Sequence, residues 1–269
     1  MSTTILTRLS AFANGISLPI EAVPDPVFAG CMLGDGVAID PSNGALYAPC
    51  DAEVLQVHAA QHACILQLAS GARILLHIGI DTVLLKGEGF SPKVKAGDFV
   101  QSGQVLIEFD KTVLERHEKP VIIVLVIENG DEFCIPWRAE PAQVVVGDAL
   151  LDVAPAAATS PPITDCLGDS SEDEIATGWA VVRHAGGMHA RPCALLAHAL
   201  KPFLATVTIE AHGKSANARS ATAMMGLALA EGDEVAISTS GKNAGDSLEA
   251  AMLALETPSA AHEAAAPAA

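Results

Sequence analysis

Aromatic residues make up only 4% of the 269-residue chain, which leaves few platforms for stacking nucleobases. Positive charge is equally scarce: 15 Lys and Arg stand against 32 Asp and Glu, for a formal charge of −17. Nucleic-acid binding is excluded as a main function, because neutralising phosphates needs clustered cations. The six cysteines, Cys31, Cys50, Cys64, Cys134, Cys166 and Cys193, form no CxxC pair and no repeated spacing. They read as reduced thiols, mostly core filler, and signal neither a zinc knuckle nor a disulfide framework. No apolar run approaches the roughly 20 residues that span a bilayer, the longest aliphatic one being Val121 to Ile127. The first fifteen residues lack the apolar stretch of a secretory signal, so a cytoplasmic location is expected. The pieces GDG (34–36) and GEG (87–89) lack the spacing of a nucleotide loop and read as turns. Nothing signals a cofactor or a bound metal.

What remains is a chain that is 50% hydrophobic and long enough for two domains. Charge marks the division. Residues 1–150 hold 9 basic and 18 acidic side chains, 151–175 hold 0 and 6, and 176–258 hold 6 and 7. The middle stretch, rich in Ala, Pro, Ser and acid, has the composition of a flexible linker. The expected organisation is a β domain over 1–153, a linker over 154–175 and a second domain over 176–258. An Ala-rich tail, 259–269, reads as solvated or as leading into a further module.

The first domain reads as short strands at Glu53–His58, Cys64–Leu68, Arg73–Ile80, Val105–Phe109, Val121–Ile127 and Val144–Val146, with one short helix at Lys111–His117. Clusters of Gly, Pro, Asp and Asn separate them, the punctuation of an all-β sandwich or barrel. In the second, strands at Ala180–Arg183, Thr206–Glu210 and Glu234–Ser238 alternate with helical stretches at His189–Lys201, from Ser220, and around Leu248, Ala251, Met252 and Leu255. That order predicts a small α+β sheet with its helices on one face.

Two histidines flank the turn dipeptide Ser70-Gly71. A two-residue hairpin there pairs residues whose numbers sum to 141, placing His62 opposite Gly79 and on the face of His77. Diagonal neighbours lie about 7–8 Å apart, so both imidazoles can address one phosphoryl group. His77 sits on an apolar strand whose Ile74, Leu76, Ile78 and Ile80 face the other way, and glycine and Asp81 follow it. An imidazole titrates near neutrality and can accept a phosphoryl group on nitrogen without a metal. In the second domain, GMHARPC lies between a strand and a helix. His189 precedes the helix, Pro192 suits its first turn, the free amides there attract anions and Arg191 adds a cation. His58, His117, His198 and His212 read as exposed and without partners, and Trp137 and Trp179 as packing residues.

The runs PDPVFAGCMLGDGVAI, YAPCDAEV, LHIGIDTVLLKGEGF and VKAGDFVQSGQVLIEFD resemble the glucose-type enzyme IIA domain of the bacterial phosphoenolpyruvate:sugar phosphotransferase system, over about Leu6 to Val153. GMHARP and HGKSANARSATAMMGLALAEGDEV resemble HPr, the histidine phosphocarrier of that system, over about Ala176 to Glu256. The resemblance implies an all-β domain of the duplicated hybrid motif type followed by an α+β open-faced sandwich. It implies that His189 receives phosphate from enzyme I with Arg191 holding it, and that His77 is phosphorylated next with His62 hydrogen-bonded to it. Asp81 joins Arg191 as a phosphate-binding candidate. The expected partners are enzyme I and a sugar-specific enzyme IIB with its membrane permease IIC, for glucose or N-acetylglucosamine. The enzyme class is phosphotransferase, and an enzyme I domain is a candidate continuation of the chain. Ala60-Gln61 stands where that family often has Thr-Asn, and Gly186 where HPr often has a polar residue. Ser220 matches a serine that a kinase modifies in some relatives, but reads first as a helix N-cap. A zinc hydrolase on a similar scaffold needs a third ligand at metal spacing, and no HxH occurs. A biotinyl or lipoyl carrier needs a lysine at a hairpin tip, and none is in that context.

Overall fold

The computed structural model describes residues 6–156 and 174–258. The chain divides into two units, Met1–Leu167 and Gly168–Ala269. Most of the expected linker, with Cys166, and all of the expected tail lie outside the described residues.

In chain order the first unit contains β1 (Thr7–Ser10), β2 (Gly15–Pro19), α1 (Pro26–Ala29), β3 (Gly36–Pro41), β4 (Ala45–Tyr47), β5 (Ala52–Val57), β6 (Ala63–Gln67) and β7 (Arg73–Ile78). It continues with β8 (Phe90–Pro92), β9 (Phe99–Val100), β10 (Val105–Phe109), α2 (Lys111–Arg116), β11 (Ile123–Ile127), β12 (Phe133–Arg138), β13 (Gln143–Val144) and β14 (Ala149–Pro155). An eight-stranded antiparallel sheet runs β13-β2-β3-β11-β7-β6-β5-β9, and two three-stranded sheets run β1-β14-β12 and β4-β10-β8. Of the two architectures that the sequence left open, these are packed open sheets, with no closed barrel among the described residues.

β11 and β7 form the middle of the large sheet, and every residue of Ile123–Ile127 is buried. At about 1.5–3 kcal/mol for each large aliphatic side chain taken from water, this is a main anchor of the fold. Ile74, Leu76 and Ile78 of β7 join the central core with Leu66, Ile123 and Leu125. The alternate residues, Leu75 and His77, take the opposite face and are buried there too. β1 and β14 are tied by Arg8, whose Nε and Nη2 donate to the two carboxylate oxygens of Asp152 at 2.8 and 3.0 Å. That hydrogen bond holds the Asp152 carboxyl below its usual range.

At the far end of β7 from His77, Glu128 is half-buried with its side chain largely covered, 3.6 Å from Arg73 Nε. Burial raises its carboxyl from 4.5 to about 7, and the Arg73 charge pulls partly the other way. The folded chain therefore holds a proton that the unfolded chain releases above pH 4.5. Stability from this group is complete below that value and is lost as the pH rises through about 7. Glu128→Gln should gain up to about 3 kcal/mol over the parent at pH 8 and little at pH 4. Denaturant titrations of the first unit at both pH values check this, and an equal gain at both would disprove the linkage.

The second unit contains β15 (Ile175–Val181), α3 (Ala190–Leu200), β16 (Thr206–Ala211), β17 (Lys214–Asn217), α4 (Ala221–Gly226), β18 (Glu234–Ser240) and α5 (Ala244–Glu256). The sheet order is β15-β18-β16-β17, all antiparallel. α5 packs on β15 where Gly178 makes room: a Cβ there would lie 3.3 Å from Leu248 Cδ1 and Met252 Sδ. The open face carries Ile175 and Trp179, so Trp179 is 69% exposed and not the packing residue expected. β15 begins five residues before the expected strand, and β14 extends through Pro155.

Candidate functional site

The hairpin of β6 and β7 is built differently from the sequence expectation. Ala63 pairs with His77 and Leu66 with Ile74, so paired numbers sum to 140 and His62 falls opposite Ile78. The turn has three residues, 69–71, closed by Leu68 N–H donating to Ala72 O, with Gly71 at φ 90°. Taken alone, this one-residue shift would put His62 and His77 on opposite faces. They nevertheless meet, because His62 precedes β6 and lies in a reverse turn where strand alternation does not apply. Gln61 sits at φ 60° in that turn, at a position where asparagine is better tolerated. The His62 and His77 ring centroids are 4.7 Å apart at 81°.

Both rings are nearly inaccessible, His62 at 1% and His77 at 4%. Phe28, presented by α1, covers His77 at 5.3 Å, and Phe90 lies 6.3 Å from His62. Asp25, which sequence reasoning passed over, holds α1 in place by accepting from the amides of Val27 and Phe28. After β7 the backbone reverses at Gly79, φ 71°, where a Cβ would lie 2.5 Å from Thr82 Cγ2 and 2.9 Å from Pro120 O. This reversal turns the Gly79 carbonyl back onto the histidine, 2.8 Å from Nδ1. The carbonyl can only accept, so Nδ1 carries the proton and Nε2 keeps its lone pair. Thr82 Oγ1 closes the turn by donating to Ile78 O at 2.6 Å. Asp81 is half-buried at the same turn, with its backbone at φ 55°.

His58 is the main correction to the list of exposed histidines. It is only partly exposed and its ring lies 4.7 Å from that of His62 at 68°. His117, His198 and His212 are exposed as expected, although His117 lies 3.7 Å from Glu88 and His212 lies 3.4 Å from Asp233. No sequence motif marks His58; only its position four residues before His62 could have drawn attention to it.

In the second unit, His189 is the N-cap of α3 and is 8% exposed. The approach to it turns through Gly186 and Gly187, both near φ 77°. Glycine is required at 187, where a Cβ would meet Leu229 O at 2.1 Å. Helix geometry gives the first-turn amides of α3 no intrahelical acceptor, and Arg191 stands in that turn. His184, which the sequence reading did not single out, is buried and donates from Nε2 to Ala254 O at 2.7 Å, tying this loop to the end of α5. Burial keeps its imidazole below the usual histidine value, the bond to Ala254 partly offsetting this. Under the site, Cys193 Sγ donates to Met188 O, and burial pushes its thiol well up, so it is inert. Cys50 and Cys64 are likewise buried, with thiols pushed up to about 12. Ser220 Oγ accepts from Ala223 N at 3.2 Å and caps α4. Among the described residues, no three His, Cys, Asp or Glu side chains converge to hold a metal ion, and no helix is long and apolar enough to cross a membrane.

Residues 7–133 match the family model of the phosphoenolpyruvate-dependent sugar phosphotransferase system, EIIA 1. Residues 178–257 match that of the PTS HPr component phosphorylation site. The PTS system glucose-specific EIIA component of Oceanobacillus iheyensis is 46% identical over 135 residues, covering 50% of this chain and 82% of that protein. The glucose-specific EIIBCA component of Corynebacterium glutamicum is 40% identical over 128 residues, 48% of this chain and 19% of that protein. The solved glucose permease IIA from Mycoplasma capricolum superposes with a TM-score of 0.51 at 31% identity, covering 55% of this chain and 96% of that one. With buried paired histidines in a matching β domain and a histidine at the helix start of a matching α+β domain, the chain belongs to the sugar phosphotransferase system family, as an EIIA domain followed by an HPr domain.

Proposed function

We propose that the chain is a phosphohistidine relay in the cytoplasm, taking a phosphoryl group from enzyme I onto His189, passing it to His77 and then to a sugar-specific enzyme IIB. The membrane permease that IIB serves would import glucose or N-acetylglucosamine. One observation carries this reading: the 2.8 Å bond from His77 Nδ1 to Gly79 O leaves Nε2 as the nucleophile beside His62.

In the transfer, the Nε2 lone pair of His77 forms a bond to phosphorus as the nitrogen–phosphorus bond of phospho-His189 breaks. The bonding pair returns to the His189 ring. Positive charge developing on the His77 imidazole is met by the Gly79 carbonyl through the proton retained on Nδ1. His62 steadies the phosphoryl oxygens as a hydrogen-bond donor. At His189, the α3 amides and Arg191 hold the same group. Asp81 is an acceptor-only carboxylate when ionised, so it suits a cationic group on the incoming donor better than the phosphate itself. The relative named as an EIIBCA component favours the IIB step, because there an EIIA region shares a chain with EIIB and EIIC by name.

Incubation with phosphoenolpyruvate and enzyme I, followed by nitrogen-resolved NMR, tests the assignment. Phosphate is expected on Nε2 of His77. Phosphate on Nδ1, or an acid-stable label elsewhere in the first domain, would overturn it.

A further inference from the structure

We propose that His58 is a positioning residue for phosphoryl transfer, bracing His62 through a ring contact as close as the one that His62 makes with His77. This rests on the reading of His77 as acceptor and His62 as its positioning neighbour. The three imidazoles form a continuous edge-to-face stack, His58 to His62 at 4.7 Å and His62 to His77 at 4.7 Å. Such contacts depend on ring orientation, so they hold a plane as well as a position.

His58 is itself fixed by the turn that carries His62. Its backbone N–H donates to Ala63 O at 2.9 Å, and its carbonyl accepts from Gln61 N at 2.7 Å. Its Nδ1 accepts from the amide of Ala60 at 3.1 Å. With Nδ1 committed as acceptor, the ring is the neutral tautomer with its proton on Nε2. Burial favours the same state by pushing the His58 imidazole below its usual value. A neutral ring can lie against His62 without charge repulsion whichever protonation state His62 passes through. Without the His58 ring, His62 would lose one ring contact and keep those with His77 at 4.7 Å and Phe90 at 6.3 Å.

Transfer between two full-length chains tests this. The donor is His77→Ala phosphorylated on His189, and the acceptor is His189→Ala with or without a change at His58. His58→Ala in the acceptor is expected to lower the maximum transfer rate roughly 10-fold, with the half-saturating donor concentration unchanged. His58→Phe, which restores a ring of similar shape, should recover most of that loss. A His58→Ala acceptor at the parent rate, or a His58→Phe acceptor no faster than His58→Ala, overturns the brace. A second arm needs no phosphate: the His62 ring resonances of the unphosphorylated chain should broaden or shift in His58→Ala and return in His58→Phe. If the parent acceptor takes up no phosphate on His77, the underlying reading fails. The brace is then decided by this arm alone, and unchanged His62 resonances in His58→Ala overturn it.

Discussion

The His189→Ala chain, given phosphoenolpyruvate, enzyme I and no separate HPr, is expected to take up no acid-labile phosphate on either domain. His77→Ala should be labelled on the second domain only. The expected effect is complete because each substitution removes the nitrogen proposed as the phosphoryl acceptor at its step, His62 beside His77 being proposed as a donor to the phosphoryl oxygens and not as an acceptor. At His189 the helix N-terminus and Arg191 would still attract a phosphoryl donor but would have no nitrogen to hold the group covalently. Label on the first domain of His189→Ala would refute the order of the relay. Mixing the two variants then asks whether the domains of one chain serve each other. The 19 residues 156–174 between β14 and β15 would span roughly 22–26 Å if flexible, and tethering at that length gives effective concentrations near millimolar. The mixture should therefore transfer more slowly than the intact chain at micromolar concentration. Equal rates would favour the reading in which each domain serves separate partners.

His62→Gln is expected to leave His77 able to accept phosphate but to slow onward transfer by about 100-fold, the scale of one lost donor aimed at developing charge. Glutamine keeps an N–H donor yet lacks the rigid ring that lies at 81° to His77. The flexible amide would spend much of its time misdirected, and a misplacement of one ångström is enough for a loss of this size. Rapid-quench measurement of phosphate leaving His77 checks the figure. Wild-type transfer in His62→Gln would remove His62 from the mechanism and leave its burial as a matter of packing.

The strands at the centre of the first domain were legible because they are long and apolar, as β11 and β7 show. Those at its margins were not. β12 contains Pro136, which argues against a strand, but it is an edge strand whose register shifts between Cys134 and Trp137, where a proline is tolerated. β14 carries Asp152 in a buried run, which reads as a break until Arg8 of β1, 144 residues away in sequence, supplies its partner. β4 and β9 have three and two residues and present no period at all. At the site, the pairing of His62 with His77 was reached through a hairpin register that the fold does not adopt. The left-handed turn at Gln61 brings the rings together instead, and no alternation pattern encodes it. His58 escaped notice for the same reason, since its neighbour is set by that turn. The second domain was read more evenly, its helices signalled by the proline at 192, the serine cap at 220 and apolar spacing.

The pairing of Thr7 with Val153 sets the two ends of the EIIA fold side by side on adjacent strands. A domain whose entrance and exit coincide can be spliced to other modules from either end without threading chain across its site. The same fold can thus serve as a portable cassette, followed by an HPr domain in this chain and matched within the larger EIIBCA protein of Corynebacterium glutamicum. The buried histidines lie on and beside β7 in the middle of the large sheet, whereas the two ends belong to the separate sheet of β1, β14 and β12. Gene fusion can therefore rearrange the order of a phosphate pathway while leaving its chemistry intact.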